Sequence, residues 1–142
     1  TLSLHDALPI SVDAAVARCG IEDDRVVVQG FGAVGHATVR RLSDPGNALW
    51  FSAASIWEVA IKRALDRPDF RVDPGVLRAG LLANGYQELP VEGRHCLGLS
   101  TLPPLHGDPF DRMLVVQAAA EGMVLLTADR MVAAYGGATE LI

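Results

Sequence analysis

The stretch from Asp108 to Tyr135 (DPFDRMLVVQAAAEGMVLLTADRMVAAY) carries one full helix–strand–helix unit. Asp108 before Pro109 is a helix N-cap followed by proline at the first helical position, where its missing N–H leaves no bond unmade. The helix so opened runs to Glu121, with Gly122 beyond it. Met123 to Thr127 (MVLLT) is an unbroken apolar run, short enough for a strand buried on both faces. A further helix follows from Asp129 to Tyr135.

Working outward, the same alternation recurs. Ala48 to Ser52 (ALWFS) reads as a short apolar strand, and Ala53 to about Leu65 as a helix with Ile56, Val59, Ala60 and Ala64 on one face. Asp73-Pro74 repeats the cap-and-proline signal and opens a helix that closes at Asn84-Gly85. Tyr86 to Val91 is a brief strand, Glu92 to Ser100 a short helix, Leu102 to Gly107 a loop, and Leu141-Ile142 a last edge strand. Toward the N-terminus, Ser11 caps a short helix over VDAAVARC that Gly20 ends. Arg25 to Gln29 (RVVVQ) is a buried strand that runs into Gly30-Phe-Gly-Ala-Val-Gly35 and a helix through about Leu42. Ser43 to Asn47 (SDPGN) is a dense turn signal. Strands alternating with helices predict a three-layer α/β/α domain around a mainly parallel sheet.

At 142 residues, the chain suffices for one ordinary domain. Half of it is apolar and a fifth charged, which is globular rather than disordered. No apolar run approaches the roughly 20 residues that span a bilayer, so no membrane association is expected. The net charge of −5 argues against a protein held on nucleic acid by overall electrostatics, leaving a local basic patch or bound metal ions for that task. Cys19 and Cys96 are isolated, suit neither a zinc knuckle nor a disulfide framework, and fit a reducing cytoplasm as small buried residues.

Chemistry enters with the acids. Glu58 lies in the second turn of the helix after ALWFS, Asp111 in the first turn of the helix leading to MVLLT, and Asp129 just after that strand. All three therefore fall at the carboxyl edge of the sheet, where open α/β sheets bind ligands. Crowded carboxylates repel unless a cation or protons compensate, and oxygen ligands without a convergent His or Cys favour Mg²⁺ or Mn²⁺ over zinc. Structural roles compete: Asp108 and Asp129 as caps, Asp111 as a helix-dipole partner. Glu58 is the hardest to explain that way, because Trp57 and Val59 make its surroundings apolar. Spacing alone divides the two readings evenly.

Three segments carry a more specific resemblance: SAASIWEVAIKRAL (Ser52 to Leu65), LPPLHGDPFDRMLVVQA (Leu102 to Ala118) and LLTADRMVAAY (Leu125 to Tyr135). Together they resemble PIN-domain ribonucleases of the VapC toxin type, over about residues 47–142. The resemblance implies a cytoplasmic, Mg²⁺-dependent endoribonuclease, with RNA as substrate and a cognate antitoxin as inhibitor. It places Glu58, Asp111 and Asp129 at the family's metal-binding and catalytic positions, with Thr127 as possible support. His106 and Arg112 belong to the same motif, with packing and loop roles as open as substrate contact. Lys62, Arg63 and Arg67 are candidates to meet phosphates, though a solvated helix face accounts for them more cheaply.

One family element is missing. The family begins with a strand of the type LLLDTH whose Asp is a principal ligand, and nothing like it precedes the match. Asp44 lies in a turn, and Asp23 and Asp24 precede their strand at the opposite edge. Losing one close negative ligand weakens Mg²⁺ binding severely, so the nuclease is expected to be impaired. Val12 to Leu42 instead resembles the start of the NAD-binding domain of glutamate/leucine-type amino acid dehydrogenases, with Gly30, Gly32 and Gly35 as the phosphate-turn glycines. The acid that such a site needs after the next strand is absent, so NAD is not expected to bind. Thr1 to Ile10 (TLSLHDALPI) resembles translated adapter sequence. The expected organisation is therefore residues 1–11 extraneous, 12–46 a Rossmann-like fragment, and 47–142 a PIN-like domain whose first strand–helix unit that fragment replaces. An assembly join is the simplest origin, and a gene fusion the alternative. Two other functions stay open: a non-catalytic remnant that binds an antitoxin or a second copy of itself, and an NAD-binding fragment.

Overall fold

The computed structural model of the chain describes residues 15–19, 25–30, 46, 48–66 and 72–141. In chain order these form β1 (Ala15–Cys19), β2 (Arg25–Gly30), β3 (Ala48–Ser52), α1 (Ala53–Ala64), α2 (Pro74–Ala83), β4 (Gln87–Leu89), α3 (Gly93–Gly98), α4 (Pro109–Ala120), β5 (Met123–Thr127), α5 (Arg130–Ala133) and β6 (Thr139–Leu141). The strands make one sheet in the order β4-β3-β2-β1-β5-β6. The pairs β2–β3, β3–β4 and β5–β6 are parallel, whereas β1 is antiparallel to both of its neighbours. All strands but β1 therefore point the same way, and the carboxyl ends of β2, β3 and β5 lie at one edge.

Cap chemistry sets the helix starts. Ser52, Asp73 and Asp108 each hold extended backbone geometry and accept an amide hydrogen from the first turn of α1, α2 and α4. Proline follows both aspartates, as the sequence predicts. Past α2 and α4, Gly85 (φ 85°) and Gly122 (φ 64°) take the left-handed conformation that lets the chain leave a helix sharply.

The core gathers on β5. Leu125 and Leu126 are both 0 % exposed, although successive strand residues face opposite ways, so β5 is covered on both sides. One side packs Met123 and Leu125 with Leu114, Val115 and Ala118 of α4, Leu89 of β4 and Val132 of α5. A buried polar bridge ties α4 to the head of α1. Ser52 Oγ caps α1 and donates to Gln117 Oε1 at 2.5 Å, while Gln117 Nε2 donates to the Pro90 carbonyl at 3.2 Å. Each buried polar atom of Gln117 is thus satisfied. Of these two helices, α1 carries Glu58 and α4 carries Asp111.

Several expectations change. The helix predicted over VDAAVARC is instead the strand β1 over Ala15–Cys19. A run this short has too few residues to fix its period, and pairing with β2 on one side and β5 on the other decides it. The buried face of α1 is Ala54, Ser55 and Val59, with Ile56 and Ala60 half-buried and Ala64 exposed. Trp57 is 62 % exposed rather than part of an apolar surround for Glu58. Cys96 is exposed, not buried. The predicted helix after Gly35, with Gly32, Gly35, Asp23, Asp24, Asp44, Arg67 and Thr1 to Ile10, falls outside the described residues.

Candidate metal centre

Local rules set Asp108, Asp111, Thr127 and Asp129. Asp108 Oδ1 accepts from the amides of Phe110 (2.8 Å) and Asp111 (3.1 Å), which fixes the first turn of α4. Asp129 caps α5 through Oδ1, accepting from the Met131 amide at 2.8 Å, and leaves Oδ2 for other partners. Thr127, buried at the end of β5, accepts the Asp129 amide on its Oγ1 at 3.0 Å. Its support is thus to the Asp129 backbone.

His106 joins the two carboxylates. Its Nε2 lies 3.3 Å from Asp111 Oδ2 and 3.3 Å from Asp129 Oδ2. Ligand atoms of the three residues all fall within 4.8 Å of one another, a spacing that one divalent ion, with bonds of about 2.0–2.2 Å, can draw together. The expectation that no histidine converges on the acids is therefore corrected. The chain brings His106 in by a loop, and its contact with Asp129 spans 23 residues, beyond any local pattern. The only signal in the sequence is its position two residues before the cap residue of α4.

The ring's tautomer follows from its other nitrogen. The Asp108 amide donates to His106 Nδ1 at 3.0 Å, so Nδ1 carries the lone pair and Nε2 the proton. His106 thus faces the acids as a donor.

Electrostatics agree with crowding at this edge. Burial pushes the Asp111 carboxyl up to about 6, helped by the charges of Asp108, Glu58 and Asp129 and opposed by His106. Burial also pushes Asp129 up, but the Met131 amide and His106 outweigh it and its pKa falls below the ordinary value. Glu58 is near enough for its charge to reach Asp111, yet it stands outside the compact trio. Its Oε1 accepts from Lys62 Nζ at 3.2 Å, an i,i+4 pair on α1. That contact places Lys62 on the helix face beside Glu58; Arg63 is exposed. The sheet explains part of the separation. Two strands, β2 and β1, stand between β3, which leads into α1, and β5, three spacings or roughly 14 Å.

Arg112 touches neither acid. Its Nη1 donates to the carbonyls of Pro103 (3.1 Å) and His106 (3.4 Å) and to the Tyr135 hydroxyl (3.1 Å), and its Nη2 to the carbonyls of Leu102 (3.4 Å) and Leu99 (3.5 Å). Tyr135 in turn accepts the His106 amide at 3.0 Å. Of the roles left open for Arg112, the geometry selects the loop role. It holds the segment that presents His106.

Because Asp108 is the largest charged contributor to the raised Asp111 pKa, Asp108→Asn is expected to keep the cap and lower that pKa. Carboxyl-carbon NMR titration reads it directly; an Asp111 midpoint that stays near 6 would show that burial alone sets the value.

Comparison with known families agrees with this geometry. The chain belongs to the PIN-domain family, which it matches over residues 25–138. PIN domains are nucleases that typically bind Mg²⁺, so a nucleic acid is the implied substrate class. The match begins at Arg25, the first residue of β2, earlier than the boundary near residue 47 that the sequence suggests. No curated protein sequence matches the chain significantly. Among the described residues no helix is long and apolar enough to cross a membrane.

Proposed function

We propose that this chain is an endoribonuclease of the VapC toxin type, dependent on Mg²⁺ or Mn²⁺, with an incomplete cation site. The observation that carries the reading is the meeting of Asp111 and Asp129 at the carboxyl edge, with the charge of Glu58 reaching Asp111. The donor set fits a hard divalent ion: two carboxylates held together, one of them with its pKa raised in a way that cationic charge would relieve. Asp111 and Asp129 would hold the ion, with Glu58 completing the negative charge around it. A bound ion supplies an oriented, more acidic water and stabilises charge developing on a phosphoryl group. RNA cleavage that needs Mg²⁺ or Mn²⁺ and stops with excess chelator supports the reading; cleavage that persists in chelator excludes it.

The incomplete part is the first strand. β2 runs parallel to β3 with Val28 opposite Phe51, so it ends at the edge where the acids converge. This supports the reading that the segment resembling a dehydrogenase (residues 12–46) stands in for the first unit of a PIN domain at 47–142. The strand's last residues are Gln29 and Gly30, neither acidic, and Phe31 follows in the sequence. Gly30→Asp is accordingly expected to tighten Mn²⁺ binding and raise cleavage about 10- to 100-fold, the range seen when a metal site regains a supporting group. No gain in either would count against strand replacement. Gly30, Gly32 and Gly35 are then ancestry rather than an NAD site, and titration with NAD should give no saturable signal.

A second reading has one observation in its favour. On α1, Trp57, Ile61 and Leu65 recur at every fourth position and are 62 %, 39 % and 65 % exposed. Such a stripe suits burial under an amphipathic helix of an antitoxin or a second copy of the chain. Tight antitoxin binding by a chain that cleaves no RNA under any metal would favour a non-catalytic remnant.

A further inference from the structure

We propose that His106 stands in for the cation: in the ion-free protein its Nε2–H donates to Asp129 and lies against Asp111, and a divalent ion must displace it to bind. The inference rests on the metal-site reading above and adds a competitor built into the chain.

The chemistry separates a donor from a ligand. A ring nitrogen binds a metal through its lone pair, so ligation through Nε2 needs the proton on Nδ1. Here the Asp108 amide already points its hydrogen at Nδ1 from 3.0 Å, which excludes a proton there. Histidine ligands ordinarily donate from their second nitrogen to a carbonyl or carboxylate. In His106 that second nitrogen accepts, the opposite polarity. The same amide that forbids ligation turns the Nε2 proton to the acids, where it meets Asp129 Oδ2 at 3.3 Å with Asp111 Oδ2 as near to the nitrogen. A hydrogen bond of that length to Asp129, beside an equally near Asp111 oxygen, is a weak tie. It lowers the repulsion between Asp111 and Asp129 without closing the site permanently.

The backbone around His106 is held, so the exchange belongs to the side chain. The amide is bound by Tyr135 and the carbonyl by Arg112. Rotation of the imidazole away from the acids leaves the loop in place and withdraws the Nε2 hydrogen from them. His106 is thus a competitor within the site: it offsets the charge of the two carboxylates in the ion-free protein and has to be displaced by an ion.

The test is the direction in which affinity moves. Mn²⁺ binding, read by the paramagnetic resonance signal of the free ion, is compared in the parent, His106→Ala and Asp111→Asn. Loss of the competitor is expected to tighten Mn²⁺ about tenfold, which is about 1.4 kcal/mol. Weakened or unchanged affinity in His106→Ala overturns the proposal, weakening being the result for a ligand. Asp111→Asn separates the two levels. If it binds Mn²⁺ like the parent, the metal reading itself fails; if it loses binding while His106→Ala does not tighten, only the His106 assignment fails. Should His106→Ala not fold, long-range proton–nitrogen NMR of histidine-labelled parent protein decides alone. A protonated Nε2 and a bare Nδ1 that change on adding Mg²⁺ support the proposal, and a protonated Nδ1 or an unchanged ring overturns it.

Discussion

Asp111→Asn is expected to cut Mg²⁺- or Mn²⁺-dependent RNA cleavage by at least about 100-fold, the loss typical of damage to a metal site, while making the ion-free protein more stable. The two effects share one cause. Asp111 has its carboxyl raised from 3.8 to about 6, first by burial and then by the acids around it. A carboxyl whose folded pKa exceeds its unfolded value costs nothing below the unfolded value, where it is protonated in both states. The cost grows between pH 3.8 and about 6 and is complete above that. A shift of this size corresponds to roughly 3 kcal/mol, so the neutral amide should recover on the order of 2–3 kcal/mol near pH 8. The gain should vanish near pH 3.5. Urea unfolding of both proteins at the two pH values checks it. Equal stability at high pH would mean that Asp111 is solvated and that the site lacks the crowding ascribed to it. A bound ion favours the charged form, so ion affinity in the parent should fall as pH drops through about 6.

Arg112→Ala is expected to destabilise the protein by about 3 kcal/mol, because several carbonyls lose a charged donor at once. The planar fork of the guanidinium reaches Leu99, Leu102, Pro103, His106 and Tyr135 together. An ammonium is a compact charge that cannot span them, so Arg112→Lys should restore little. Amide hydrogen exchange should accelerate over Leu99 to Gly107 before the rest of α4 is affected. A loss below about 1 kcal/mol, in the range of exposed ion pairs, would show the clamp to be ornamental. The variant should also loosen the segment that presents His106, whose carbonyl it releases, without touching an acid.

Those two residues mark how far sequence reasoning reached. Asp111 was legible because its place is governed locally: an Asp-Pro cap fixes the first turn, and three positions past the cap is a defined direction. The same logic located Asp73-Pro74 and the strands ALWFS and MVLLT to the residue. Arg112 and His106 lie in the same motif, yet their roles could not be chosen from it, since each is decided by partners well along the chain. Tyr135 meets Arg112 across 23 residues and the His106 amide across 29. β1 failed for the same reason. Its five residues satisfy a helix or a strand equally, and two neighbouring strands supplied the answer. Exposure of Trp57 and Cys96 is likewise a tertiary property, because residue type gives only an average tendency toward burial.

Trp57 has a practical consequence. It sits beside Glu58, and its ring meets Phe110, the residue before Asp111, edge to face at 5.1 Å and 77°. The indole is therefore wedged between the two helices that bring acids to the site, with most of its surface in water. Its emission should respond to any change in the gap between those helices. Trp50 is the other tryptophan and lies half-buried in the sheet, where it supplies a steadier background. The protein thus carries its own optical gauge, and a Trp50→Phe variant would let Mn²⁺ titration of the candidate metal centre be followed without an added label.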